Sequence, residues 1–511
     1  MLISCAHMMY NHSQDNLSNS NYDPRIGTRY TAVTTQFIGR ENEIKVLDKS
    51  LHSARSELVA VYGRRRVGKT FLVHTVLGSV IDFEFSGMYQ VSGKEQRKQF
   101  LRVLERLAGH KQPNPASWFE LFDQLKDYLL SLNKDQVVIF LDELPWMDTP
   151  KSNFFSAFSR FWNEWAKESV KLKLYVCGSA TTWMIDKLIG DKGGLYGRIS
   201  RSIYLAPFSL RECEEYLNKV KEMNYDRNQI LSVYMIMGGI PYYLDMLDSE
   251  LPLSVNIDRM FFAENAPLKT EFDFLFRSLF KESMNYRRVI EVLAGKLAGM
   301  TREEIAKTSH LTGGELSLIL KNLNSCDFIR SYTEPGKKER GRLYQLTDMF
   351  SLFYLRFVQS HNGQDRKYWT NLGQSGVKYA WLGYAFEQVC LHHIEQIKVS
   401  LGISGILSNV YAWSCRPFTD ENGNEWNGGQ IDLIIDRSDG VMNLCEMKYT
   451  SDEFVIEKEY AETIRKRTAL FRRVTGTKKN LRCTFLTVHG VKANKYSGIA
   501  DHQLVLDDLF N

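Results

Sequence analysis

The eight residues from Gly63 to Thr70, Gly-Arg-Arg-Arg-Val-Gly-Lys-Thr, carry the clearest chemistry in the chain. The pattern G-x-x-x-x-G-K-T lets glycine-permitted backbone turn its N–H groups toward phosphate oxygens. Gly63, Arg66, Val67 and Gly68 supply that backbone, and Lys69 brings a point charge to the β- and γ-phosphates of ATP. The Thr70 hydroxyl is placed to bind Mg²⁺. The flanks agree with this reading. Leu58 to Tyr62 is an apolar, β-branched run suited to a buried strand, and Phe71 to Leu77 can continue as a helix whose N-terminus faces the anion.

A second set lies downstream. Gln136 to Leu141 is a continuous apolar run that ends in Asp142 and Glu143, as a strand buried on both faces of a parallel sheet should. Carboxylates at such a strand end point into the ligand crevice of an α/β sheet. Asp142 is expected in the Mg²⁺ shell, and Glu143 is expected to orient and polarise the attacking water. Leu172 to Gly178 predicts another strand, with Ser179, Thr181 and Thr182 at its polar exit. Arg201 to Leu205 predicts a further one. Between them Gly193 to Arg198 forms a loop carrying Arg198, with Arg201 just beyond it; these arginines either meet the γ-phosphate or are solvated.

The third set is near the C-terminus. Asp432 sits in the apolar run Gln430 to Ile435, and Glu446-x-Lys448 ends the run Val441 to Lys448. Alternation puts Glu446 and Lys448 on one face of their strand. Asp432 and Glu446 can share Mg²⁺, and Lys448 can position water or stabilise charge on a phosphodiester. Glu387, in a helical stretch from Tyr379 to about Ile397, adds a fourth polar group. The expected order is helix, strands (Ile406 to Trp413, then the two runs above), a basic helix from Glu457 to Val474, and the strand Thr484 to Val488. It resembles the core of restriction-endonuclease-like nucleases with a D…(D/E)-x-K signature. Ile431 stands where the strict form has proline.

The elements that carry these residues sort into segments. Strands alternating with helices up to about residue 207 predict a parallel three-layer α/β sheet. From Phe208 to about Lys281 the pattern is helical, broken at Gly238-Gly239-Ile240-Pro241. Tyr286 to Leu297, Thr301 to Lys307 and Thr312 to Leu323 predict three helices, the last two opened by Thr-x-x-Glu capping boxes. A hairpin follows, with Lys337, Lys338 and Arg340 at its tip and Arg342 beside it. Three helices and a hairpin make a winged helix. Its third helix offers few base-reading side chains (Lys321, Asn322, Asn324), so packing against a partner stands beside DNA contact.

Composition bounds the rest. The chain has 511 residues, 44% hydrophobic and 24% charged, with a formal charge of +5. This is ordinary for a globular protein and does not by itself argue for nucleic acid. Eight scattered cysteines without a C-x-x-C pair point to a reducing, cytoplasmic setting. No run is long and apolar enough for a membrane span, and the Asn/Ser-rich start is expected to be a disordered leader.

Phe37-Ile38-Gly39-Arg40-Glu41, the phosphate loop, Leu141-Asp142-Glu143, Cys177-Gly178-Ser179 and Gly238-Gly239-Ile240-Pro241 occur in an order that resembles the archaeal-type P-loop ATPases. That group is related to the AAA+ and STAND NTPases. The resemblance covers about residues 37 to 280. It implies that Gly39 and Arg40 line the adenine side, that Ser179 senses the γ-phosphate, and that the segment around Pro241 closes over the nucleotide. The same family often carries a C-terminal nuclease-like domain. The expected segments are therefore a leader at 1–34, an ATPase domain at 35–207 and a helical lid at 208–281. A winged helix at 282–348 and a helical linker with nuclease-like domain at 349–511 complete the chain. The expected activity is ATP hydrolysis, acting on or regulated by DNA, with a Mg²⁺-dependent nuclease. The alternative is an ATP-gated regulator or scaffold whose nuclease-like domain binds without cutting. A homo-oligomer or a partner protein is allowed.

Overall fold

The computed structural model describes residues 38–165, 168, 170–280, 282–333, 341–373, 375–421 and 423–511. The expected leader, Phe37 of the first motif and the hairpin-tip residues Lys337, Lys338 and Arg340 lie outside the described residues.

Five parallel strands form the first sheet: β1 (Glu57–Tyr62), β2 (Phe83–Ser86), β3 (Gln136–Asp142), β4 (Lys171–Gly178) and β5 (Arg201–Tyr204). Their order is β2-β3-β4-β1-β5. Strands β3 and β4 are buried along almost their whole length, which is why their sequences are apolar runs rather than alternations. The helices Gly93–Ala108, Trp118–Ser131 and Phe154–Trp165 cover one face through a cluster that includes Phe100, Trp118, Phe122, Phe154 and Phe158. Ser92 and Ser117 accept hydrogen bonds from the third-residue amides of the first two helices, fixing where each starts. The chain between β2 and β3 thus forms two helices.

After β5 the chain turns helical. The helix Leu210–Glu215 opens with a capping box between Ser209 and Glu212. The helix Arg227–Met237 ends at Gly238, and Pro241 occupies the first turn of the next, Pro241–Asp245, where a missing N–H costs nothing. Gly239 is pressed against Phe208: the Phe208 amide donates to the Gly239 carbonyl at 2.6 Å, and a Cβ on Gly239 would stand 1.8 Å from the Phe208 carbonyl oxygen. No side chain larger than hydrogen fits there.

The next unit contains the helices Ser283–Ala294, Arg302–Ser309 and Gly313–Ser325 and a small antiparallel sheet. Its strands are β6 (Met300–Thr301), β7 (Ile329–Tyr332) and β8 (Leu343–Leu346), in the order β6-β8-β7. The expected capping box at Thr301 and Glu304 is present. At Thr312 it is not: the Thr312 side chain makes no cap bond, and Glu315 instead accepts from Asn285 Nδ2 at 2.6 Å.

A further mixed sheet ends the chain. It is built from β9 (Ser408–Cys415), β12 (Gly429–Arg437), β13 (Val441–Lys448), β14 (Asn480–Thr487) and β15 (His502–Leu504), in the order β15-β14-β13-β12-β9. A minor hairpin, β10 (Phe418–Thr419) and β11 (Glu425–Trp426), precedes β12. β12 runs antiparallel to β9 and β13, while β13, β14 and β15 are parallel. The helix Lys458–Thr475 makes the crossover from β13 to β14, and the helix Gly376–His392 packs on β13. The single helix expected from 379 to 397 is two, because the chain breaks at His393.

Candidate functional site

Strand β1 delivers the chain to Gly63 at φ 145°, where an added Cβ would stand 2.4 Å from the Leu205 carbonyl oxygen. Arg66 (φ 72°) and Gly68 (φ 91°) are also left-handed, so the loop curls around its own amides before the helix Lys69–Leu77 begins. Lys69 is 6% exposed, and its ammonium donates to the carbonyls of Gly63 (3.1 Å) and Arg64 (2.9 Å). Thr70 Oγ1 donates to Asp142 Oδ2 at 2.9 Å. Two elements distant in sequence therefore bring a hydroxyl and a carboxylate together beside the loop.

Asp142 also accepts from the amide of Glu143 at 2.9 Å, and Glu143 adopts φ 46°. That left-handed step turns its side chain from the end of β3 toward β4. There one carboxylate oxygen accepts both the Ser179 amide (3.1 Å) and the Ser179 hydroxyl (2.8 Å). Burial raises the proton affinity of Glu143, and the neighbouring Asp142 adds to this, against the Lys69 charge and the Ser179 bonds. Lys69, Thr70, Asp142, Glu143 and Ser179 thus form one connected polar site at the C-terminal edge of the sheet, where a bound polyphosphate would meet a cation, backbone amides and a basic carboxylate.

Two arginines of the loop point away from it. Arg64, 3% exposed, pairs with Asp348 and lies over the Phe328 ring, 4.6 Å from its centre. Arg66 pairs with Glu271 at 2.9 Å and lies 4.0 Å over Tyr242, next to Pro241. Sequence reasoning missed the acidic partners because they are 205 and more residues away along the chain. Arg198 is exposed on its loop, while Arg201 is on β5. Gly39 and Arg40 have φ 62° and 65°.

The C-terminal residues also converge, with partners the sequence did not reveal. The pairing of β12 with β9 shifts register between Ile431 and Ile434, a bulge that contains Asp432. Leu433 pairs with Cys445 across to β13, so one step further sets Asp432 opposite Glu446. Glu446 is 7% exposed. One of its oxygens accepts from Arg467 at 2.6 Å and the other from Tyr460 at 2.8 Å, both on the helix Lys458–Thr475. Lys448 Nζ is 3.9 Å from Glu446. Glu387 approaches from the helix Gly376–His392; burial, then the charges of Asp432 and Glu446, push its carboxyl up to about 7. Arg330 of β7 also reaches this field. It is forked onto Gln345, burial holds its guanidinium below the usual range, and Asp432 and Glu387 partly offset that. Among the described residues no three or more His, Cys, Asp or Glu side chains are grouped to hold a metal ion.

The candidate base-reading residues are partly engaged. Lys321 pairs with Asp186 at 2.7 Å, and Asn322 Nδ2 donates to Tyr286 at 2.6 Å. No helix among the described residues is long and apolar enough to cross a membrane.

A parallel sheet with a phosphate loop after its first strand and an Asp-Glu pair after its third defines a P-loop ATPase. Residues 37–247 match a family model described as an ATPase domain predominantly from Archaea, and ATP hydrolysis is the activity of this part of the chain. The chain is 29% identical over 436 residues to an uncharacterised protein of Methanocaldococcus jannaschii, spanning 84% of this chain and 91% of that one. Among solved structures it is similar to a Walker-type ATPase of Pyrococcus abyssi (20% identity, 63% of this chain and 96% of that one, TM-score 0.46). It is also similar to the ORC2 protein of Aeropyrum pernix in ADPNP-ADP complexes (16% identity, 66% and 95%, TM-score 0.37).

Proposed function

We propose that this ATPase is of the AAA+/STAND class and that its hydrolysis cycle acts on a DNA-directed, nuclease-like C-terminal domain. In the ATPase part, the loop backbone from Gly63 to Gly68 and Lys69 hold the β- and γ-phosphates. Thr70 and Asp142 are the oxygens that would hold Mg²⁺, which when bound neutralises charge between those phosphates; the 2.9 Å hydroxyl-to-carboxylate contact fits that role. Glu143 orients the attacking water and takes its proton as the γ-phosphoryl group passes from ADP to the water oxygen. Its raised proton affinity suits it to that task. Ser179, already bonded to Glu143, sits where it can report the γ-phosphate to that base. Pro241 would belong to the closing lid.

For the remainder, we read 282–348 as a winged helix and 349–511 as a linker and restriction-endonuclease-like domain. The observation that carries this is the register of a mixed sheet that sets Asp432 opposite Glu446, with Lys448 3.9 Å from Glu446. Asp432 and Glu446 would share the metal, with Lys448 facing the scissile phosphate and Glu387 at the margin. The test is cleavage of linear, nicked and supercoiled DNA with Mg²⁺ or Mn²⁺, with and without ATP. Cutting that disappears in Asp432→Ala and Lys448→Ala supports the reading; a wild-type chain that hydrolyses ATP but cuts no DNA or RNA form refutes its nuclease half.

A second reading, an ATP-gated regulator whose nuclease-like domain binds without cutting, is favoured by the state of Glu446. Both of its oxygens are taken by Arg467 and Tyr460, leaving a metal to displace them. Manganese binding by the full chain, abolished in Asp432→Ala, separates an open metal site from a closed one.

A further inference from the structure

Among the described residues, ion pairs and hydrogen bonds join the ATPase part to residues 271–348. Arg64 pairs with Asp348, Arg66 with Glu271, and Lys321 with Asp186, while the Tyr204 hydroxyl donates to Asp327. Only the first two begin inside the phosphate loop. The Arg64 pair is the more enclosed, with 3% and 4% side-chain exposure for its two members. Its aromatic floor is Phe328, the residue just before β7. Asp348 has a second duty: its other oxygen accepts the amide and the hydroxyl of Ser351, capping the helix Met349–Phe353 that leads into the C-terminal part. One carboxylate therefore holds the phosphate loop with one oxygen and starts that helix with the other.

The loop end of this tie is equally specific. The Arg64 carbonyl is one of the two acceptors that brace Lys69. When Lys69 turns to a phosphate, that carbonyl loses its donor, so the backbone of Arg64 changes partners at the moment of binding. A flexible loop would absorb this locally. Here the Arg64 side chain is locked in a buried ion pair, where a guanidinium and a carboxylate deprived of water resist separation. Its Nε and Nη2 are buried with no hydrogen-bond partner, so Asp348 is the ion-pair partner of the guanidinium.

We propose that Arg64 is a positioning residue for ATP: by anchoring the Gly63-Arg64 backbone to Asp348 over Phe328, it makes phosphate affinity depend on the junction at residues 347–353. Arg66, held by Glu271 and Tyr242, supports the opposite side of the same loop. Coupling between two sites is reciprocal, so bound nucleotide also stabilises the helix Met349–Phe353.

Asp348→Asn keeps a side-chain oxygen for the helix cap and removes the charge, so it isolates the ion pair. In the full chain this variant and Arg64→Ala are each expected to weaken ADP and ATP binding roughly tenfold, within the usual range of intersite coupling. KM should rise while kcat per titrated site stays within a few-fold. Asp348 lies 101 residues beyond the end of the 37–247 ATPase match, so an effect on affinity is not built into that domain. The double variant should be no worse than either single one, because each removes the same pair. A merely structural role would instead lower the fraction of competent protein and leave the dissociation constant of the rest unchanged. Unaltered affinity in both single variants overturns the proposal. Should the variants fail to fold, the wild-type chain supplies the test: amide hydrogen exchange over Met349–Phe353 must slow on saturation with Mg-ADP, and exchange that is the same with and without nucleotide overturns it.

Discussion

Replacing Arg467 by alanine tests what the C-terminal site is. In the fold Arg467 donates to Glu446 at 2.6 Å, and Glu446 is 7% exposed. At that distance and an effective dielectric of about 20, the attraction is about 6 kcal/mol, offset by several kcal/mol of lost hydration for each ion. Truncating one partner of such a pair strands the other. The expected cost lies toward the lower end of the usual 3–5 kcal/mol, about 3 kcal/mol, because Tyr460 still donates at 2.8 Å and Lys448 stays at 3.9 Å. For a cooperative unit of 150–250 residues this lowers the thermal midpoint by about 6–12 °C. The double variant Glu446→Gln with Arg467→Met should recover most of the loss, since no buried charge remains. Manganese should also recover stability in Arg467→Ala, because the freed carboxylate becomes available to a cation beside Asp432. The assay is the thermal unfolding of the full chain in EDTA and in Mn²⁺, followed by the near-UV signal. A midpoint in EDTA unchanged by Arg467→Ala refutes the buried-pair argument. Recovery in the double variant but none with manganese favours the regulator over the nuclease.

Other consequences follow from the same geometry. Glu143→Gln should lower kcat by about 10²–10³-fold while nucleotide still binds, because it removes the base and leaves the phosphate contacts; weak binding in a filter assay would contradict this. Lys69→Ala should abolish measurable ADP and ATP binding, read by displacement of a fluorescent nucleotide. Gly63→Ala should destabilise the ATPase part by at least about 2 kcal/mol, since its Cβ would stand 2.4 Å from the Leu205 carbonyl at φ 145°; chemical denaturation measures it. Glu387, with a folded pKa of about 7 against an ordinary 4.5, costs nothing below pH 4.5, where it is protonated in both states. It costs progressively more as pH rises through 7. Glu387→Gln in EDTA should therefore gain stability over wild type between pH 5 and pH 8, by up to about 3 kcal/mol, and a pH-independent difference would refute the assignment.

The grouping of the candidate nucleotide-site residues was legible because its chemistry is local. Gly63 to Thr70 must be contiguous for their amides to converge, and β3 must be apolar to cross the middle of a parallel sheet, so Asp142 and Glu143 announced themselves. The C-terminal residues were legible in part: alternation set Glu446 beside Lys448, but no pattern marked the bulge at Asp432 or the reach of Arg330 from another sheet. Partners on the far side of the chain left no trace either. Nothing in the loop pattern assigned the Arg64 and Arg66 side chains, and their destinations, Asp348 and Glu271, are ordinary acidic residues in sequence. The same holds for Lys321 and Asn322, two of the few candidate base readers, which are bonded to Asp186 and Tyr286. A pairing fixed by tertiary packing has no period to read.

The contact between Gly239 and Phe208 has a mechanical meaning. A backbone amide and carbonyl 2.6 Å apart, with no room for a methyl group, act as a rivet rather than a pivot. The helix that begins at Pro241 and the strand end that leads to Phe208 must therefore travel together, and large rotations have to be taken up elsewhere.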